Sequence, residues 1–263
     1  MEADAKMTLF SDTRYLFVRA LRKLVRNPIL LFFSLFQPIL FLVLFTQLLT
    51  RLGSFPGILP AGVSYLEFAA AGILLQNAFG SALQSGNSIV ADIDSGFLSK
   101  MLVTPVSRAA ILLGRLSSDA FRVVVQTAII LGLAYVLGAR VKTGVLGILG
   151  IFFTLAFFGL AWSGISLALG MKTRSAETVF AIGGVITFPL LFLSSALFPI
   201  SFLPTWVKDV SMFNPVSYAV DASRAFMITG FDWGTILPAW GVIGLVAIIT
   251  LGATLYQFRK VVS

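Results

Sequence analysis

The sequence predicts an all-α polytopic membrane protein, and three observations carry that reading. Long apolar stretches recur along the chain, charged residues make up only 11% of it against 58% hydrophobic ones, and most of the cations gather between the stretches. A soluble domain is about a quarter charged. Each stretch reaches the ~20 residues that a helix rising ~1.5 Å per residue needs to cross ~30 Å of hydrocarbon.

The first element is amphipathic. At about 100° per residue, Phe17, Val18, Ala20, Leu21, Leu24 and Val25 share one side of a helix over residues 12–27, and Arg19, Arg22, Lys23 and Arg26 share the other. Arg14 and Leu16 break the pattern near its start. Such a helix lies along a membrane surface with its cations near anionic headgroups. Asn27-Pro28 stops it, because proline disfavours helical geometry in the residue before it. The first span follows at 29–50, too long for the ~7–15 residue apolar region of a cleaved leader.

The second span covers 65–90 and carries a polar stripe of Gln76, Asn77, Ser81, Gln84, Asn87 and Ser88. Such groups either hold helices together or line a path for a polar or amphipathic molecule. Residues 92–104, "DIDSGFLSKMLVT", form an elbow: Gly96 allows a bend, and Phe97, Leu98, Met101 and Leu102 give it an apolar side suited to a groove on another protein. Thr104 and Pro105 suit a helix start, so the third spanning helix is expected to run over 105–139. On it Arg108, Arg115, Asp119, Arg122 and Gln126 fall within a narrow arc. Arg115/Asp119 and Asp119/Arg122 have the spacing of ion pairs. A structural ion cluster and a pathway lining both fit charges placed there.

The fourth and fifth spans are expected at 145–169 and 179–198, with Pro189 kinking the latter, and the sixth at 236–258. Between the last two, residues 199–234 are apolar in patches. Pro199, Pro204 and Pro215 break them, and Lys208, Asp209, Asp221 and Arg224 leave no run of spanning length. Two short helices that dip into the outer leaflet and return are expected, packed against protein as irregular membrane backbone must be. With an even number of spans both termini share a side. Placing the N-terminus inside puts Lys6, Arg14, Arg19, Arg22, Lys23, Arg26, Lys100, Arg108, Arg115, Lys172, Arg174, Arg259 and Lys260 within. Only Arg51, Arg140, Lys142, Lys208 and Arg224 then lie outside, which favours this orientation.

The chain has no cysteine and no histidine, so disulfides, thiol nucleophiles and imidazole acid/base chemistry are excluded, and no metal site or catalytic residue is expected. It contains neither a GxxxxGK[ST] phosphate loop nor a GxGxxG or GxSxG motif. The net charge of +8 is inner-loop charge rather than a nucleic-acid footprint.

The pieces "DIDSGFLSKMLVTPVSR…LLGR" and "FPLLFLSSALFPISFLPTWVKDVSMFNPVSYAVDASR" together resemble the ABC-2 type permeases, the membrane subunits of ATP-binding cassette exporters. The resemblance covers essentially the whole chain as a single transmembrane domain, 1–263. It implies that 92–104, with Asp92, Asp94, Gly96, Phe97, Leu98, Met101, Leu102, Thr104 and Pro105, is a coupling helix docking on a separate nucleotide-binding ATPase. The basic helix (Arg19, Arg22, Lys23, Arg26) would be an interface helix beside that subunit. The segment with Pro199, Pro204, Trp206, Asn214 and Pro215 would be an outer gate. It implies ATP and Mg on the partner rather than on this chain, a second permease copy (identical or a close paralogue), and a cell-membrane location. Drug and antibiotic exporters of the daunorubicin type are the nearest likeness. Exporters of lipid-linked glycans or glycolipids share the architecture and stand as the alternative. An intramembrane enzyme or an ion-coupled transporter would need clustered or mid-membrane carboxylates, whereas Glu67 and Asp119 stand apart.

Overall fold

The computed structural model describes residues 11–19, 21–22, 26, 28–49, 59, 62–103 and 108–262; among them every regular element is helical. Helix α1 covers 11–19 and 21–22. It is followed by α2 (Pro28–Leu49), α3 (Tyr65–Asp94), α4 (Phe97–Leu102), α5 (Arg108–Val136), α6 (Gly144–Thr173) and α7 (Ala176–Phe192). A 3-10 turn at Ile200–Phe202, α8 (Thr205–Ser211), α9 (Pro215–Arg224), a π turn at Ala225–Thr229 and α10 (Trp233–Val262) complete it. Among the described residues five helices, α2, α3, α5, α6 and α10, are long and apolar enough to cross a membrane.

Helix α3 is the axis of the bundle. Ser64 starts it with a capping box: its hydroxyl accepts from Glu67 N, and the Glu67 carboxylate accepts from Ser64 N, which satisfies two end donors at once. The helix is buried on nearly every side because α2, α5, α6 and α7 all pack on it. Its approach to α6 is set by two glycines. A Cβ on Gly86 would meet Ser166 O at 2.5 Å, and one on Gly170 would meet Gly86 O at 2.7 Å. Small residues of this kind let membrane helices pack backbone to backbone. Beyond that contact Phe79, Phe158 and Trp162 form the aromatic centre, with Phe79 edge-on to Phe158 and to Trp162 at 4.9 and 4.8 Å, a favoured ring geometry.

The fifth expected span is shorter than its hydropathy suggests. Helix α7 starts with Ser175 capping Thr178 N, continues through Pro189, and ends at Phe192 rather than 198. Asn214 explains the early end. Its Nδ2 donates to Leu190 O and Leu193 O at 2.7 and 3.0 Å, so a residue of the following segment satisfies carbonyls that a longer helix would have used. The same Asn214 caps α9 by accepting from Val216 N, with Pro215 in the first turn.

The elbow bends where expected. Gly96 adopts φ +66 between α3 and α4, a left-handed conformation open to glycine without a Cβ penalty. Thr104 and Pro105, expected to start the next helix, lie outside the described residues, as does Lys23.

Candidate functional site

The polar residues of α3 and α5 form a seam that runs between the two helices and ends at the elbow. At its far end Gln126 Nε2 donates to Ser34 Oγ of α2 at 2.9 Å, and Asn77 Nδ2 donates to Gln126 Oε1 at 3.4 Å. Next, Arg122 donates through Nε to Ser81 Oγ (2.8 Å) and through Nη2 to Ser81 O and Asp119 Oδ1 (both 2.7 Å). The other Asp119 oxygen accepts from Ser85. The Asp119–Arg122 pair is therefore formed as its spacing suggests, but Arg115 does not join it. Arg115 reaches across to Asp92 Oδ2 at 2.8 Å. The reason is geometric: Ser85 and Arg122 already take both Asp119 oxygens, while Asp92, buried at the end of α3, lies within reach of the Arg115 guanidinium.

Asp92 is also approached by Arg19 of α1, at 3.9 Å. The Arg19 guanidinium lies over the ring of Phe97, 3.4 Å from its centroid, a cation–π contact. Leu16 of α1 packs against α5 at Gly114, and Phe17 meets Phe121 edge-on at 5.6 Å. The elbow is thus bound to both the N-terminal helix and the seam.

Its apolar side faces inward. Leu98 is 2% exposed, and with Met101 it packs among Ile89, Ile111, Leu112, Leu167, Met171 and Phe258. These two residues belong to the protein's own core, so they do not offer the outward-facing plug expected from the sequence. The outward face carries Asp94, Ser95, Ser99, Lys100 and Val103, the last 87% exposed. A six-residue helix has too little periodicity to tell which neighbour its apolar side meets, and the sequence offers no signal for it.

The stripe on α3 divides in two. Asn77, Ser81 and Ser85, the last not singled out in the sequence, face α5 and are used in the seam. Gln76, Gly80, Gln84 and Asn87 follow one another at helical spacing along another side. There Gly80 is exposed with open space where a Cβ would stand, and Gln76, Gln84 and Asn87 are partly exposed. Gln76 Oε1 and Asn87 Oδ1 make no hydrogen bond among the described residues.

At the opposite end of α3, Arg224 gathers a second cluster. It donates to Ala196 O at 3.0 Å and Phe68 O at 3.3 Å, pairs with Asp221 at 3.4 Å and stacks on Phe68, 3.6 Å from the ring centroid. Ser195 Oγ donates to Asp221 and Tyr65 Oη to Leu197 O. Burial pulls the Arg224 guanidinium down to about 10, with Asp221 opposing the shift, and it stays charged at neutral pH. Of the residues expected around an outer gate, Asn214 is buried in its capping role. Pro199 and Pro204 precede the 3-10 turn and α8, Pro215 opens α9, and Trp206 stands exposed. Among the described residues no group of carboxylates could hold a metal ion.

A family model described as ABC-2 type transporter matches residues 11–228. A daunorubicin resistance ABC transporter permease protein of Streptomyces coeruleorubidus is 31% identical over 98% of this chain and 90% of its own length. A putative transport permease of Cyanophora paradoxa is 31% identical over 88% of this chain and 80% of its own. A probable doxorubicin resistance ABC transporter permease protein of Mycobacterium tuberculosis is 28% identical over 81% and 75%.

Proposed function

The chain belongs to the ABC-2 type transporters, and from that premise we propose that it is the membrane permease subunit of an exporter that moves hydrophobic or amphipathic drug-like molecules, powered by ATP hydrolysis on a separate subunit. It is a multi-pass membrane protein. The family and the relatives named for daunorubicin and doxorubicin resistance support the substrate class. The lack of a phosphate loop anywhere in the sequence supports a partner that binds ATP and Mg.

The observation that carries the mechanism is the joint at the elbow. Helix α4 cannot move without moving Leu98 and Met101 in the core or the Asp92–Arg115 pair at the foot of the seam. A force applied to its exposed face by an ATPase would reach α3 and α5 directly. The partner-facing residues in this reading are Asp94, Ser99, Lys100 and Val103, with Arg22 and Arg26 of the N-terminal segment, which are also exposed. Gln76, Gln84 and Asn87 beside Gly80 are the residues to line the substrate path, since they are partly exposed on a side of α3 that the seam does not use.

Six crossings, with α7 as the short fifth, and both termini inside complete the proposal. The cation distribution supports that orientation. The segment around α8 and α9 is read as a re-entrant gate: Phe202, Trp206, Met212 and Phe213 project from it exposed, and such a patch suits lipid better than water. Two copies of the permease, identical or close paralogues, would pair with two ATPases. The test is co-expression with the cognate ATPase, followed by co-purification and drug-stimulated hydrolysis in liposomes. Val103→Asp is expected to weaken association, and Gln84→Leu to change drug preference with assembly intact. Absence of any co-purifying ATPase would overturn the reading.

A further inference from the structure

An apolar cleft of about 230 Å³ lies at the far end of α5 from the elbow. It is lined by Leu131, Gly132 and Tyr135 of α5, Ala139 of the connection, and Ile148 and Phe152 of α6. Met227 of the π turn closes one wall, held there by Lys142 N donating to Met227 O at 3.0 Å. Thr143 Oγ1 donating to Phe226 O at 2.5 Å fixes the same loop. The cleft opens on the outward side of the bundle, where Ala128, Gly132 and Tyr135 are exposed.

Two cations stand at its mouth. Arg140 lies over the Tyr135 ring, 4.3 Å from the centroid, and Lys142 is exposed two residues on. Neither forms an ion pair with a described carboxylate. The nearby Glu67 accepts from Ser64 N with one oxygen and from Arg140 N with the other, and the two cations outnumber this one carboxylate. The polar loop 137–143 between two spanning helices must sit at the membrane–water boundary, because exposed loop backbone is excluded from hydrocarbon. The cleft therefore lies just below headgroup depth, with both cations at that depth.

The geometry points to a binding site for one anionic phospholipid: an acyl chain in the cleft and the phosphate between Arg140 and Lys142. The cleft is apolar and open along one side, which suits part of an acyl chain lying against it. Charge complementarity decides the headgroup, since two cations at that depth attract an anionic phosphate whichever leaflet supplies it. The site is separate from the substrate path proposed above and does not depend on it.

The experiment uses the full chain purified in mild detergent, with phosphatidylglycerol and phosphatidylcholine of identical acyl chains as probes. Retention is read by native mass spectrometry and stabilisation by thermal unfolding. Phosphatidylglycerol is expected to be retained and to raise the melting temperature more than phosphatidylcholine. Gly132→Leu fills the cleft, and open space surrounds a Cβ at that position, so the variant should fold and lose most of the bound lipid; Ala128→Leu serves as a second filler. Arg140→Gln with Lys142→Gln should abolish the preference between the two lipids while lowering lipid-free stability only slightly, through the lost Arg140–Tyr135 contact. Equal retention of both lipids by the unaltered chain would overturn the proposal, as would wild-type retention in both fillers. So would efficient disulfide cross-linking of Gly132→Cys between copies, or displacement of the lipid by a drug.

Discussion

The two ends of α3 use the same parts and assemble them in opposite ways. Each has an arginine over a phenylalanine and an arginine paired with an aspartate: Arg224 on Phe68 with Asp221 at one end, Arg19 on Phe97 and Arg115 on Asp92 at the other. At the first end the hub is the arginine. Two of its contacts are to backbone carbonyls, which are fixed by the fold, and its aspartate is half exposed. At the elbow the hub is the aspartate, buried and gripped by side chains from two other helices, one of which, Arg19, is 43% exposed and only at 3.9 Å. A hub tied to backbone acts as a lock. A hub held by side chains of separate helices shifts when those helices shift, which is why the proposed mechanism places the transmission of movement at the elbow.

The largest expected effect that tests this contrast is Arg115→Ala. It removes the close cation from the buried Asp92, and breaking a buried ion pair costs about 3–5 kcal/mol; thermal unfolding of the purified protein should drop accordingly. A loss under about 1 kcal/mol would mean that Arg19 takes over and the hub is not built as described. Leu98→Ala removes a core side chain and should cost about 2–4 kcal/mol while leaving ATPase association in the surviving folded fraction intact. Selective loss of association at unchanged stability would return Leu98 to the partner-facing side. Arg224→Lys keeps the charge but loses the planar fork that reaches two carbonyls and stacks on Phe68, so about 1–2 kcal/mol should be lost. Full stability in that variant would remove the lock. The smallest effect on stability belongs to Arg19→Ala, under about 1 kcal/mol for a partly exposed contact. Its signature is functional: drug-stimulated ATP hydrolysis should persist with reduced transport per ATP. Unchanged coupling there would place the moving joint elsewhere.

Local signals in the sequence were legible wherever one segment decides its own structure. The bend at Gly96 and the Asp119–Arg122 pair each depend on residues within four positions of one another. What was not legible depends on distant partners. The helix-end carbonyls near Leu193 are met by Asn214, so an apolar run reaching Phe198 does not stay helical. Arg115 finds a carboxylate on α3 because Ser85 and Arg122 occupy the nearer one, and hydropathy carries no trace of that competition. The stripe on α3 was visible as a stripe, but its division into a used face and an open face required knowing where α5 lies.

The seam also constrains how the protein is made. Helix α5 brings Arg115, Asp119 and Arg122 towards the bilayer, and an isolated helix pays about 2.5–3.5 kcal/mol for each such charge near its centre during insertion. Helix α3 leaves the ribosome first and already presents Ser81, Ser85 and Asp92, the groups that later receive those charges. The α5 charges should therefore cost less to insert when α3 already stands beside them, and a chain in which Ser81, Ser85 and Asp92 are replaced by apolar residues is expected to insert α5 less efficiently.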